Sequence, residues 1–185
     1  HLLVRHIQPH ADVAELSVIR RHVVNPRVLR HELLLPTRPT AEFQFDPAIA
    51  EQLQNALAVT GGLSGYLGFR HTEFTPGRLV VEMDARADLL TPFGNLHGGC
   101  LTAMVDHCLG VVFYPVIPAG SWVATTEFKL NLLAPVSQGV CVAVAEIIAL
   151  GKRSGVARID ISNDGRAVCA AQGTVTVVRP TTGST

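Results

Sequence analysis

Between Gly99 and Phe113 the apolar residues Leu101, Met104, Val105, Cys108, Leu109, Val112 and Phe113 recur at steps of three and four, the period of a helix. Pro115 and Pro118 end that pattern. Further upstream, Asp46 is a suitable N-cap and Pro47 suits a first helical position, so a helix is predicted over 48–59, stopping at Gly61-Gly62. Strands are predicted over 65–74 and 78–85, joined by a turn at Thr75-Pro76-Gly77, with Leu79, Val81 and Met83 on one face. Residues 88–95 read as the loop entering the main helix. Beyond the helix the pattern predicts long strands over 121–133, 140–150, 152–163 and 166–178, the last two joined by the hairpin signal Asn163-Asp164-Gly165. One long helix laid across an antiparallel sheet is an α+β arrangement.

Composition bounds this picture. With 185 residues, 48% of them hydrophobic, the chain can bury one substantial core. The organisation expected is a basic N-terminal arm over 1–43, one domain over 44–179 and a polar tail over 180–185. Residues 1–40 of it hold Arg5, Arg20, Arg21, Arg27, Arg30 and Arg38 against Asp12, Glu15 and Glu32. It has room for short helices over 11–22 and 27–35, as a lid, a dimer-bracing arm or an extension. His6 and His10 lie four apart, but no third ligand accompanies them and no metal site is expected. The formal net charge of zero gives no support to nucleic-acid binding by the chain as a whole. No apolar run approaches the roughly 18 residues of a membrane span, so a soluble, cytoplasmic protein is expected. Cys100, Cys108, Cys141 and Cys169 form no C-x-x-C pair, which suggests buried free thiols in a reducing compartment. Cys100 is the exception to watch, because a thiol in the first turn of a helix can become acidic.

The main helix carries the candidate chemistry. Burying an unpaired carboxylate costs several kcal/mol, so Asp106 in so apolar a helix calls for an explanation. At the helix front, His97-Gly98-Gly99 lets the backbone approach something closely, beside N–H groups that favour negative charge. Gly98 and Asp106 are eight residues apart, about 12 Å at 1.5 Å of rise per residue. One small reacting group cannot touch both within a single helix. If both serve one reaction, a second copy of the helix must supply one of them, which predicts a homodimer with two equivalent sites. Close packing by the glycines and a solvated Asp106 would account for the same residues.

The run His97-Gly98-Gly99, followed by Val105-Asp106 and then by Thr125-Thr126-Glu127-Phe128-Lys129-Leu130-Asn131-Leu132-Leu133-Ala134-Pro135, resembles the hotdog-fold thioesterases of the phenylacetate-pathway (PaaI-like) and acyl-CoA thioesterase 13 type. The resemblance covers about residues 44 to 179. It implies a sheet wrapped around the central helix, and hydrolysis of an acyl-CoA thioester without a cofactor. It further implies a homodimer or a dimer of dimers. The Gly98 N–H, with Gly99 beside it, would polarise the carbonyl, and Asp106 of the other subunit would act as general base or as nucleophile. His97 would orient the loop or touch substrate, and Thr125, or else Thr126, would help hold the water. Where such enzymes carry an amide side chain fifteen residues before the acid, this chain has Thr91, with Asn95 nearby. Lys152 and Arg153 stand where similar enzymes hold the nucleotide end of coenzyme A, and Leu89, Leu90, Phe93 and Leu101 are available to line an acyl pocket or the core. The alternative is a non-catalytic hotdog module that senses acyl-CoA, the basic arm contacting DNA.

Overall fold

The computed structural model describes residues 43–57 and 61–180. The expected arm up to residue 42, with its short helices and His6 and His10, lies outside the described residues, as do 58–60 and the tail from 181.

Helix α1 (Pro47–Leu57) begins as the sequence indicates. Asp46 Oδ1 accepts from the backbone N–H groups of Ala48 at 2.9 Å and Ile49 at 3.3 Å, and Pro47 fills the position where no donor is needed. The strand expected over 65–74 is corrected at its start. Residues Gly62–Leu67 form a short helix, α2, and only Arg70–Thr75 is strand, β1. The reason is local: Leu63-Ser64-Gly65-Tyr66-Leu67 contains no β-branched residue, and Gly68 at φ +71° closes the helix. Its N–H donates to the Gly65 carbonyl at 3.1 Å and that of Phe69 to Ser64 at 3.0 Å, the paired closure a left-handed glycine permits.

Strand β2 (Arg78–Asp84) pairs antiparallel with β1 across the Pro76-Gly77 turn, where Gly77 has φ +72°. Helix α3 (Gly98–Val111) follows, then a 3₁₀ turn at Tyr114–Val116 and strands β3 (Trp122–Leu132), β4 (Val140–Leu150), β5 (Ser154–Asn163) and β6 (Arg166–Val178). All six strands form one sheet in the order β1-β2-β4-β5-β6-β3. The β5–β6 hairpin turns at Asp164 and Gly165, both at positive φ.

One face of the sheet wraps α3. Leu79, Val81 and Met83 of β2 are fully buried, and so are Ala143, Ala145, Ala157, Ile159 and Val175 of the other strands. The helix itself is apolar on most sides rather than on one. Met104, Val105, Cys108, Leu109 and Phe113 are fully buried, each large side chain contributing roughly 1.5–3 kcal/mol. What remains open is a narrow stripe of Gly99, Thr102, Ala103, Asp106 and Gly110, all exposed or half-buried. This explains the correction that Gly98–Val116, 19 residues at a mean hydropathy of 1.4, is long and apolar enough to cross a membrane by length and composition alone. Its apolar side chains meet the sheet.

Glycines let the sheet close around the helix. A Cβ on Gly173 would lie 2.6 Å from Leu109 Cδ2 and 2.7 Å from the Glu127 carbonyl oxygen, and one on Gly155 would lie 2.4 Å from the Phe113 ring. Backbone cannot yield as a side chain can, so Gly173→Ala is expected to destabilise the fold by about 1–3 kcal/mol. A urea midpoint equal to that of the wild type would contradict this.

Candidate active site

The α3 entrance is built by a loop whose backbone bonds hold it shut. The Thr91 N–H donates to the Asn95 carbonyl at 2.7 Å, that of Gly94 donates to Thr91 at 2.9 Å, and that of His97 donates to Leu89 at 3.0 Å. Thr91 and Asn95 are thus joined through the backbone, and both side chains are half-buried. The loop tip, Phe93, is 90% exposed, whereas Leu89 and Leu101 are buried in the core. Of the four residues available to line an acyl pocket, two are therefore structural.

His97 caps the helix. Its ring Nδ1 accepts from the Gly99 N–H at 2.9 Å, and its carbonyl accepts from Cys100 at 2.9 Å. Those two donors are consumed, while the Gly98 N–H makes no hydrogen bond among the described residues. The Gly98 N–H is thus left free among the described residues, in the region where the helix dipole favours negative charge. Leu132 of β3 crowds this point: a Cβ on Gly98 would lie 2.8 Å from its Cδ1. A Cβ on Gly99 would lie 2.8 Å from His97 Nδ1.

Asp106 sits on the open stripe of α3, exposed and without a hydrogen bond or ion pair among the described residues. Helical geometry places it about 12 Å along the axis from Gly98. The two do not meet within one subunit.

The two threonines part company at a bulge. In β3 the register shifts between Thr125 and Glu127, so that Thr125 pairs with Val175 and Glu127 with Thr174. Val175 is fully buried on the helix side, which sets Thr125 on that side. Thr126 instead shares a 3.0 Å hydrogen bond with Thr176 on the opposite face. It lies away from the stripe that bears Asp106. Lys152 and Arg153 are exposed on the β4–β5 turn, near Gly155 and Phe113 and thus at the opposite end of α3 from Gly98. Cys100 does not become acidic: burial pushes its thiol up, as it does for Cys108, and raises Cys141 and Cys169 to about 11. All four cysteines are buried and free. Among the described residues no three His, Cys, Asp or Glu side chains could share a metal ion.

One polar constellation escaped the sequence reading. His107 points about 100° around α3 from Asp106, into the space between β1 and α2. Its Nδ1 lies 3.2 Å from Ser64 Oγ and its Nε2 lies 2.9 Å from His71 Nε2. Phe69 and Phe74 flank the rings, and His71 Nδ1 is buried without a hydrogen-bond partner. At this separation one ring donates to the other, and burial favours the neutral form of both. Burial lowers each to about 4 from an ordinary 6.5; the neighbouring imidazole adds to the effect on His71, while a backbone contact at Leu53 opposes it. Above about pH 6.5 neither the folded nor the unfolded chain protonates these rings. Below it the unfolded chain takes up protons that the folded rings refuse, so stability falls as the pH drops from about 6.5 to about 4. The loss is at most about 3 kcal/mol per ring. A His71→Phe, His107→Leu variant should lose less of its urea midpoint between about pH 7.5 and about pH 4.5 than the wild type does. An equal loss would place the pH response elsewhere.

Comparison with known proteins agrees with this architecture. The family model described as the thioesterase superfamily matches residues 93–170. A 1,4-dihydroxy-2-naphthoyl-CoA hydrolase of Listeria monocytogenes is 28% identical over 63% of this chain and 95% of its own length. A proofreading thioesterase, EntH, of Cronobacter turicensis is 30% identical over 64% of this chain and 86% of its own. Among solved structures, a mutant thioesterase of Pseudomonas aeruginosa superposes with a TM-score of 0.62 at 28% identity, covering 69% of this chain and 92% of that one. A thioesterase of Haemophilus influenzae shares the fold with a TM-score of 0.66 at 24% identity, over 73% and 94%. With a helix wrapped by an antiparallel sheet, a family model matching residues 93–170 and a thioesterase relative 30% identical over 86% of its length, the chain belongs to the thioesterase superfamily, and it is a thioester hydrolase with the hotdog fold.

Proposed function

We propose that the substrate is an acyl-CoA and that two copies of the chain build each site. The observation that carries this reading is the exposed, unpartnered Asp106 on the open stripe of an otherwise buried helix. A carboxylate there has no function within the lone subunit, and the Gly98 donor it would need stands about 12 Å away on the same helix. Two α3 helices packed antiparallel about a two-fold axis bring Asp106 of one copy to Gly98 of the other. The small residues Gly99, Ala103 and Gly110 on the stripe permit that approach.

In such a site the Gly98 N–H stabilises the charge that develops on the thioester oxygen, worth about 3–4 kcal/mol of barrier. Asp106 removes a proton from the attacking water, or attacks the carbonyl carbon itself to form an anhydride that water then cleaves; either route releases coenzyme A as its thiol. Thr125, on the helix side of β3, holds the water in this reading, and the Thr91–Asn95 loop borders the carbonyl. Lys152 and Arg153 supply cations for the phosphates at the nucleotide end. The named activity of the Listeria relative supports a coenzyme A thioester as substrate, and that of the Cronobacter relative supports thioester hydrolysis. A panel of acyl-CoAs assayed with a thiol-detecting reagent tests the reading, and the buried cysteines contribute little background. Release of thiol from at least one member is expected; none from any member would overturn it.

A further inference from the structure

Helix α2 borders the face of α3 that carries Asp106. Ser64 contacts His107 of α3, while the Tyr66 carbonyl accepts from Arg86. The short helix therefore lies beside α3 at the level of His107, one residue on from Asp106. On the opposite flank the stripe is bounded by Leu132 of β3. Two large apolar side chains of α2 face solvent in this position, Leu63 at 62% and Tyr66 at 60% exposure.

The exposure of these side chains is enforced. Leu67 is buried beneath the helix and Ser64 is hydrogen-bonded to His107, which fixes its inner face. Arg86 Nη2 donates to the Tyr66 carbonyl at 2.7 Å and its guanidinium lies 5.7 Å from the centre of the Tyr66 ring, while Asp88 holds that guanidinium. Gly62 at φ +80° and Gly68 at φ +71° bracket the segment. Leaving Leu and Tyr in water costs burial energy unless something apolar covers them, and the neighbouring face is where the reacting carbonyl would sit.

We propose that α2 is the wall that reads the acyl group: Leu63 and Tyr66 pack against its chain beyond the first few carbons, and the Ser64–His107–His71 hydrogen-bonded chain together with Arg86 holds that wall in place. This rests on the acyl-CoA thioesterase reading above. Ser64, His107 and Arg86 are positioning residues, acting through α2 rather than on the thioester.

The test is a ladder of straight-chain acyl-CoAs, from acetyl to palmitoyl, assayed with wild type, Leu63→Ser, Tyr66→Ser and Ser64→Ala. The first two variants should lose about tenfold in kcat/KM for the longest substrates that the wild type accepts and less than twofold for acetyl-CoA, with the elution volume unchanged. Ser64→Ala should flatten the ladder in the same sense and increase amide exchange over 62–68 without changing it over 98–111. A uniform loss across the ladder, a change of assembly state, or an unaltered ladder would each overturn the proposal while leaving the thioesterase reading intact. A wild type that hydrolyses no member would overturn both.

Discussion

Asp106→Asn is expected to lower kcat for thioester hydrolysis by about a thousandfold, within the range that a positioned acid or base supplies. The substitution keeps the size of the side chain and removes its charge. Because Asp106 is exposed and bonds to nothing within the described residues, the fold should not notice: surface changes away from such contacts stay within about 0.5 kcal/mol. KM should hardly move, since the Gly98 donor and the apolar walls are untouched. A variant that keeps more than a third of wild-type turnover would remove the carboxylate from the reaction.

Mixing two inactive variants should restore activity. In Gly98→Val the branched side chain would stand beside the donor and against Leu132, whose Cδ1 lies 2.8 Å from a Cβ at that position, and would obstruct the carbonyl's approach; loss of one such donor costs about a hundred- to a thousandfold. If Gly98 and Asp106 of one site come from different copies, a pair of Gly98→Val with Asp106→Asn holds one complete site and one doubly defective site. After random exchange of subunits half of the pairs are mixed, so about a quarter of wild-type activity should return. Two variants that stay at background after denaturation and refolding together would instead mean that each site lies within one copy.

The frame of the molecule could be read from residue patterns because its signals are local. β4 and β6 have the bounds predicted, and Asn163-Asp164-Gly165 turns as its composition requires. Asp46 and Pro47 mark the start of α1. Local signals fail at Gly65-Tyr66-Leu67, which reads as the start of a strand; without β-branched residues that stretch coils into α2. They are also silent on the change of phase within β3, because a bulge leaves no trace in composition. The meeting of His71 with His107, 36 residues apart, depends on how β1 lies beside α3, which no window of sequence contains. For the site, the spacing of Gly98 and Asp106 already shows that one helix cannot join them. That Gly99 is claimed by His97, leaving Gly98 as the donor, needed coordinates.

The supernumerary residue at Thr126 bears on how this strand can vary in length. Because Thr126 and Glu127 point the same way, deleting Thr126 would leave Phe128, Leu130 and Leu132 facing the helix as before. Single-residue gain or loss is thus harmless to the core at this one place, although elsewhere along the strand it would turn every later side chain inside out. An alignment that slides by one position around Thr125 would therefore record the history of the bulge rather than any change in what faces the water.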